Sequence, residues 1–204
     1  MKLSKDGMLD DPKITLKRFK QIEHGALESV HAIVVHQTDS KTEQETFNSY
    51  LHPTNTSEAT GAHFLITKNG VIYQTASLNK RCYHVGKYIK SKCLELKREN
   101  CSDEKKIQNS TIAWKAKKIA IDLAERNKDH PDRFPVNSDS VGIELVGKNT
   151  GEKSYQAVTP LQQASLQWLI TELNILFSLK LEDIYRHPEV SYKNVGEAAS
   201  ATWK

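Results

Sequence analysis

The chain has 204 residues, with 29 Lys and Arg against 25 Asp and Glu, a formal net charge of +4, and hydrophobic and charged contents of 38% and 26%. Those values describe one folded domain with a core that needs no metal or disulfide, and they exclude wholesale disorder, a collagen-like repeat and a coiled coil. No apolar run is long enough to span a bilayer, so membrane insertion is not expected, and so mild a charge argues against a dedicated nucleic-acid binder. The opening residues MKLSKDGMLDDPK lack an apolar signal core, which predicts a chain that is cytoplasmic as synthesised. The three cysteines, Cys82, Cys93 and Cys101, read as free thiols of a reducing compartment.

Residues 1–25 are polar and mixed, and are expected to form an arm lying on a domain that occupies 26–204. Ile33, Val34 and Val35 in HAIVVHQTDS (31–40) predict a strand buried on both faces. TEQETFNSYL (42–51) places Phe47, Tyr50 and Leu51 at helical spacing, and His52-Pro53 closes that helix. In GAHFLITKNGVIYQTA (61–76) two β-rich runs flank Lys68-Asn69-Gly70, and Asn-Gly supplies the positive-φ residues of a tight hairpin. Composition then shifts, and about 88–138 reads as a partly helical insertion. Within it TIAWKAKKIAIDLAERN (111–127) carries Ile112, Ala116, Ile119, Ala120 and Leu123 as its apolar face. SVGIELVGK (140–148) is a further short strand, and 147–151 a loop. Thr159 and Pro160 start a helix that runs to about Leu179, with a stripe of Leu161, Leu166, Leu169, Leu173 and Leu176. The tail from Asp183 is loop-like. Mixed strands and helices predict an α/β fold, a central mixed β-sheet flanked by helices.

Two of the eight histidines stand where a strand meets a loop: His36 ends the 31–36 strand and His187 opens the tail. Strand ends are where open sheets place their sites. Glu144 lies between Ile143 and Leu145, where a carboxylate is costly unless paired, protonated or beside a metal. Lys193 and Glu197 follow His187 by six and ten residues. Two imidazoles and a carboxylate with one open position make a catalytic zinc set.

The ordered strings IVVHQTDS, GAHFLITKNGVIYQ, KRCYHVGK, SVGIELVGK and YRHPEVSYKNVGE span about residues 30–200. Together they resemble the zinc-dependent N-acetylmuramoyl-L-alanine amidases, the fold shared with bacteriophage T7 lysozyme and the peptidoglycan-recognition proteins. The resemblance implies a Zn2+ cofactor and a peptidoglycan or muropeptide substrate. It implies that His36 and His187 are zinc ligands. The family's third ligand is an Asp or Cys after the second histidine; here the Cys-type position is Val195 and the Asp-type position Glu197, so Glu197 is the candidate, one methylene longer than Asp. Glu144 matches the carboxylate that activates water in bacterial amidases, and the tyrosine that other branches use corresponds to Ala62. Lys193 matches a lysine that stabilises the oxyanion, although in some branches it lies two residues later. His63 and His84 match residues lining the substrate groove.

The implied reaction is hydrolysis of the amide joining N-acetylmuramic acid to L-alanine of the stem peptide. Three settings remain open: an antibacterial effector opposed by an immunity protein, a phage endolysin, and a cytoplasmic enzyme recycling anhydromuropeptides. A non-catalytic peptidoglycan receptor on the same fold is the alternative that Val195 keeps in view, while Glu144 and Lys193 argue against it. Cys82 has no base placed beside it and is not expected to act as a nucleophile.

Overall fold

The computed structural model describes residues 1–203. The chain begins with β1 (Lys2–Leu3), β2 (Leu9–Asp10), β3 (Ile14–Leu16), β4 (Glu23–Ala26) and β5 (Ala32–Gln37). After α1 (Glu43–Leu51) come β6 (Phe64–Ile66), β7 (Ile72–Gln74) and β8 (Lys80–Cys82). The insertion supplies α2 (Lys92–Glu95), α3 (Ser102–Asn109) and α4 (Trp114–Arg126). The rest is β9 (Ser140–Leu145), β10 (Asn149–Gly151), β11 (Ser154–Tyr155), α5 (Pro160–Phe177), β12 (Ile184–Arg186) and α6 (His187–Val190).

The central sheet is six-stranded and mixed, in the order β12-β5-β9-β6-β7-β3. The first four strands run parallel, β6 and β7 form an antiparallel hairpin, and β3 lies parallel to β7 at the edge. The N-terminal segment therefore enters the sheet instead of only lying on the domain. Gln74 holds it there, its Oε1 accepting from Leu9 N–H at 2.7 Å.

Alternation along the strands sorts side chains onto two faces. Ile33 and Val35 of β5, Val141, Ile143 and Leu145 of β9, and Phe64 and Ile66 of β6 pack under α5 against Leu166, Leu169, Ile170 and Leu173. The helix is fixed at its start by a capping box of Thr159 and Gln162, and Gln162 Nε2 also donates to the carbonyls of Ile66 and Val146. Leu161, expected in the buried stripe, is 58% exposed, because the first turn of α5 presents its neighbour Gln162 to the sheet instead. On the opposite face Val34 packs with Val85, Ile89, Phe134, Val136 and Val190. That second face carries the site.

Several local expectations are corrected. The 67–71 turn takes its positive φ from Gly70 alone, at 83°. Residues 149–155 form a short hairpin, β10 with β11, and the tail contains β12 and α6. The expected apolar face of 111–127 points to solvent, with Ile112 just before α4 and Ile119 and Leu123 within it at 46%, 44% and 63% exposure, while Ile121 and Glu125 are buried. Polar contacts set this rotation. Glu125 accepts from Lys92 N–H and Lys128 Nζ, and Asp122 accepts from Ile89 N–H. The free-thiol reading fails for two cysteines: Cys93 and Cys101 are disulfide-bonded, clipping α2 to the start of α3, whereas Cys82 is a buried thiol.

Candidate active site

Register brings the first pair together. β5 and β9 are adjacent and parallel, with His36 directly opposite Glu144, and Glu144 lies opposite Leu65 of β6 on its other side. Both side chains share the face opposite α5. β12 runs parallel to β5 on its other flank, so His187, the residue immediately after β12, emerges beside His36 with ring centroids 4.3 Å apart. The tail then folds back to deliver Glu197. Gln37 makes that return possible: its Oε1 accepts from Ala198 N–H at 3.0 Å and its Nε2 donates to Gln156 O at 2.7 Å.

Glu197 Oε1 lies 2.9 Å from His187 Nδ1 and 3.5 Å from His36 Nδ1. The ligand atoms of these three buried residues all lie within 4.8 Å of one another. The remaining ring nitrogens are committed elsewhere. His187 Nε2–H donates to Val85 O at 3.1 Å. His84 Nε2–H points at Ser140 O and Oγ, both at 3.3 Å, so its Nδ1 is the acceptor for His36 Nε2–H at 3.1 Å. These partners assign the tautomers: Nδ1 of each neutral imidazole turns a lone pair toward Glu197. Two lone pairs and a carboxylate oxygen meeting in a buried place form a set of donors that a cation would satisfy. Two histidines and a carboxylate are the donor set of a catalytic zinc centre, and the residues fit that ion.

Electrostatics agree with this geometry. Burial, reinforced by the neighbouring His187 ring, depresses His36 to about 4, so it stays neutral and able to ligate. Burial would raise the Glu197 carboxyl, but the His187 and His36 rings set against it outweigh burial and hold Glu197 well below the usual carboxylate range. Glu144 behaves oppositely. Burial and the Glu197 charge push it up to about 8, against the pull of Lys193, and its Oε2 is buried without a hydrogen-bond partner.

An open cavity of about 850 Å³ covers the cluster, with His36, His84, Glu144, His187, Lys193 and Glu197 in its wall. His84 thus sits at the groove as expected, with an added task in holding His36. His84 can approach the sheet because Gly142 is a glycine; a Cβ there would stand 2.9 Å from the His84 ring. His63 lies behind the wall. It is fully buried, its Nδ1 accepts from Gly142 N–H at 3.1 Å and its Nε2–H donates to Lys80 O at 2.9 Å. Tyr50 of α1, whose spacing marks only a helix face, also lines the cavity, and its buried hydroxyl has no partner. Gln37 and Ser140 are two further contributors; both lie within the strings IVVHQTDS and SVGIELVGK, which by themselves give neither residue a role.

The fold and cluster define a single-domain α/β protein with a candidate metal centre in a groove at the carboxyl ends of parallel strands. The sequence profile of the N-acetylmuramoyl-L-alanine amidase family matches residues 26–202, and the chain belongs to that family. Among curated proteins none matches the chain. A selenomethionine derivative of AmpD is similar over 100% of this chain and 94% of its own, with 16% identity and a TM-score of 0.55. PlyL is similar over 88% of this chain and 82% of its own, with 12% identity and a TM-score of 0.50. The N-acetylmuramoyl-L-alanine amidase LysC from Clostridium intestinale URNW shares 18% identity over 90% and 87% of the two chains, with a TM-score of 0.48. The likenesses to AmpD and PlyL show the shared fold.

Proposed function

We propose that this chain is a zinc-dependent peptidoglycan amidase that hydrolyses the amide between the lactyl group of N-acetylmuramic acid and L-alanine of the stem peptide. The observation that carries this reading is the convergence of His36 Nδ1, His187 Nδ1 and Glu197 beside Glu144, within an open cavity, in a member of this family. A zinc ion held by His36, His187 and Glu197 would supply Lewis-acid polarisation of the scissile carbonyl and acidification of the attacking water. Glu144 takes the proton from that water. It then passes that proton to the departing L-alanine amine. Lys193, in the cavity wall, donates to the carbonyl oxygen as negative charge grows there. His84 and the Val85 carbonyl keep the two ligand imidazoles in one tautomer.

The Cys93–Cys101 bridge supports work in an oxidising place such as the periplasm of a target cell, the setting of an antibacterial effector. An immunity protein of the producing cell would then block the cavity.

The test is incubation of the purified protein with peptidoglycan, with and without a chelator, and mass spectrometry of the products. Free stem peptides beginning at L-alanine are expected, and they should disappear with the chelator and in Glu144→Ala. Retention of intact muropeptides without cleavage would replace the amidase by a receptor.

A further inference from the structure

Beside the cavity the insertion turns aromatic rings outward. Trp114, the first residue of α4, is 61% exposed, an unusual place for so large an apolar side chain. Its ring meets Tyr192 edge-on, with centroids 5.6 Å apart. Lys118 Nζ, one turn along α4, lies 5.8 Å from the Trp114 ring, 5.7 Å from Tyr192 and 5.8 Å from Tyr88. Three rings from three separate segments thus surround one ammonium group, and cation–π attraction holds them as a platform.

The platform is continuous with the cavity. Lys87, which lines the cavity, precedes Tyr88, and Lys193, which also lines it, follows Tyr192; Arg126 reaches the cavity from α4 itself. Lys87 Nζ stands 5.7 Å from the Tyr88 ring, so positive charge bridges the two regions. Aromatic faces combined with amines suit pyranose rings that carry acidic substituents: the sugar's axial C–H groups stack on the indole, and the amines meet carboxylates. The aliphatic residues Ile119 and Leu123 lie on another side of α4 and contribute nothing to this surface.

We propose that Trp114, Tyr88 and Tyr192 form an accessory subsite that stacks N-acetylhexosamine rings of a glycan strand beside the cleaved position, with Lys87 and Lys118 facing carboxylates of flanking stem peptides. The subsite makes polymeric peptidoglycan a better substrate than soluble fragments. The choice of ligand rests on the amidase reading, and the experiment separates the two.

The full chain is sedimented with purified sacculi in the presence of chelator, which measures binding without turnover, for the wild type, Trp114→Ala and Trp114→Phe. In parallel, kcat/KM is measured on sacculi and on a soluble muramoyl-peptide with zinc present. The apparent Kd for sacculi should rise about tenfold in Trp114→Ala and return most of the way in Trp114→Phe, the size of one lost stacking contact. Chitotetraose should compete with the wild type for sacculi. The ratio of kcat/KM on sacculi to that on the muramoyl-peptide should fall about tenfold in Trp114→Ala. An unchanged Kd or an unchanged ratio overturns the subsite, and so does competition by free stem peptide in place of chitotetraose, which would make the platform a peptide site. Trp114-dependent sedimentation by a wild type that cleaves neither substrate leaves the subsite standing and removes the amidase reading. Cleavage of both substrates with no dependence on Trp114 does the reverse.

Discussion

His36 is aimed by His84, a residue 48 positions further along the chain that leaves no trace in the spacing around either histidine. Ser140 fixes the His84 tautomer, His84 fixes that of His36, and the Nδ1 lone pair of His36 is left facing Glu197. His84→Ala should therefore weaken zinc binding by about 10- to 100-fold, read by competition with a chromophoric chelator. Unchanged affinity would remove His84 from that role. Glu197→Ala should lose zinc in metal analysis, and retained zinc would strike Glu197 from the ligand set. His63 shows the same imidazole put to structural use. Burial depresses it to about 4, below the 6.5 of a free histidine, and protonating Nδ1 would set a donor against Gly142 N–H. The unfolded chain therefore binds this proton at a higher pH than the folded one. The stability His63 contributes is complete above pH 6.5 and drains away as pH falls toward about 4, by up to about 3 kcal/mol. Chemical denaturation of the metal-free protein across that window checks this, and His63→Gln should flatten the slope.

At the scale of elements, α4 shows how polar contacts can override an apolar stripe. Periodicity nominates Ile112, Ile119 and Leu123 for burial, yet the helix buries Ile121 and Glu125, because Lys92 N–H, Lys128 and Ile89 N–H draw Glu125 and Asp122 inward. Leu123→Ser should change stability by no more than about 0.5 kcal/mol, whereas Ile121→Ala should cost about 2–4 kcal/mol, both by equilibrium denaturation. A reversed order would mean that the helix sits the other way round. The strands obey their pattern better. Ile33-Val34-Val35 is covered on both faces, by α5 on one side and by Val85, Ile89, Phe134 and Val136 on the other, so its continuous apolar run is legible without knowing what covers it, whereas β9 packs Val141, Ile143 and Leu145 under α5 and turns Glu144 to the cavity.

For the whole molecule, the sheet and the insertion are held by different means. The sheet packs around α5 with a large aliphatic core, while the Cys93–Cys101 bridge joins α2 to α3 and the Glu104–Lys128–Glu125 ion pairs join α3 to the end of α4. Closing so short a loop constrains the unfolded chain by about 2–3 kcal/mol. Reduction, or Cys93→Ser, should speed proteolysis and hydrogen exchange within 90–110 and leave the protection of β5 and β9 unchanged. Uniform loss of protection would show that the insertion and sheet unfold as one unit. Since α4 borders the cavity through Arg126, loosening the insertion should also lower turnover of polymeric substrate.

Fold class, the two-faced strands, the α5 cap and the candidate site residues are all legible in the order of the amino acids. They are local properties: β-branched runs, Thr-Pro before a leucine stripe, histidines at strand ends, a carboxylate among core residues. His36, Glu144, His187 and Glu197 can be named from the chain because the short strings around them are distinctive. How they meet is a matter of tertiary packing. Register sets Glu144 opposite His36, the β12–β5 pairing brings in His187 from 151 residues away, and Gln37 returns the tail so that Glu197 completes the cluster. The burial of His63, the His84 relay, the cysteine bridge and the orientation of α4 belong to the same category, because each depends on which distant atom lies within a few ångströms, and spacing along a chain does not encode that distance.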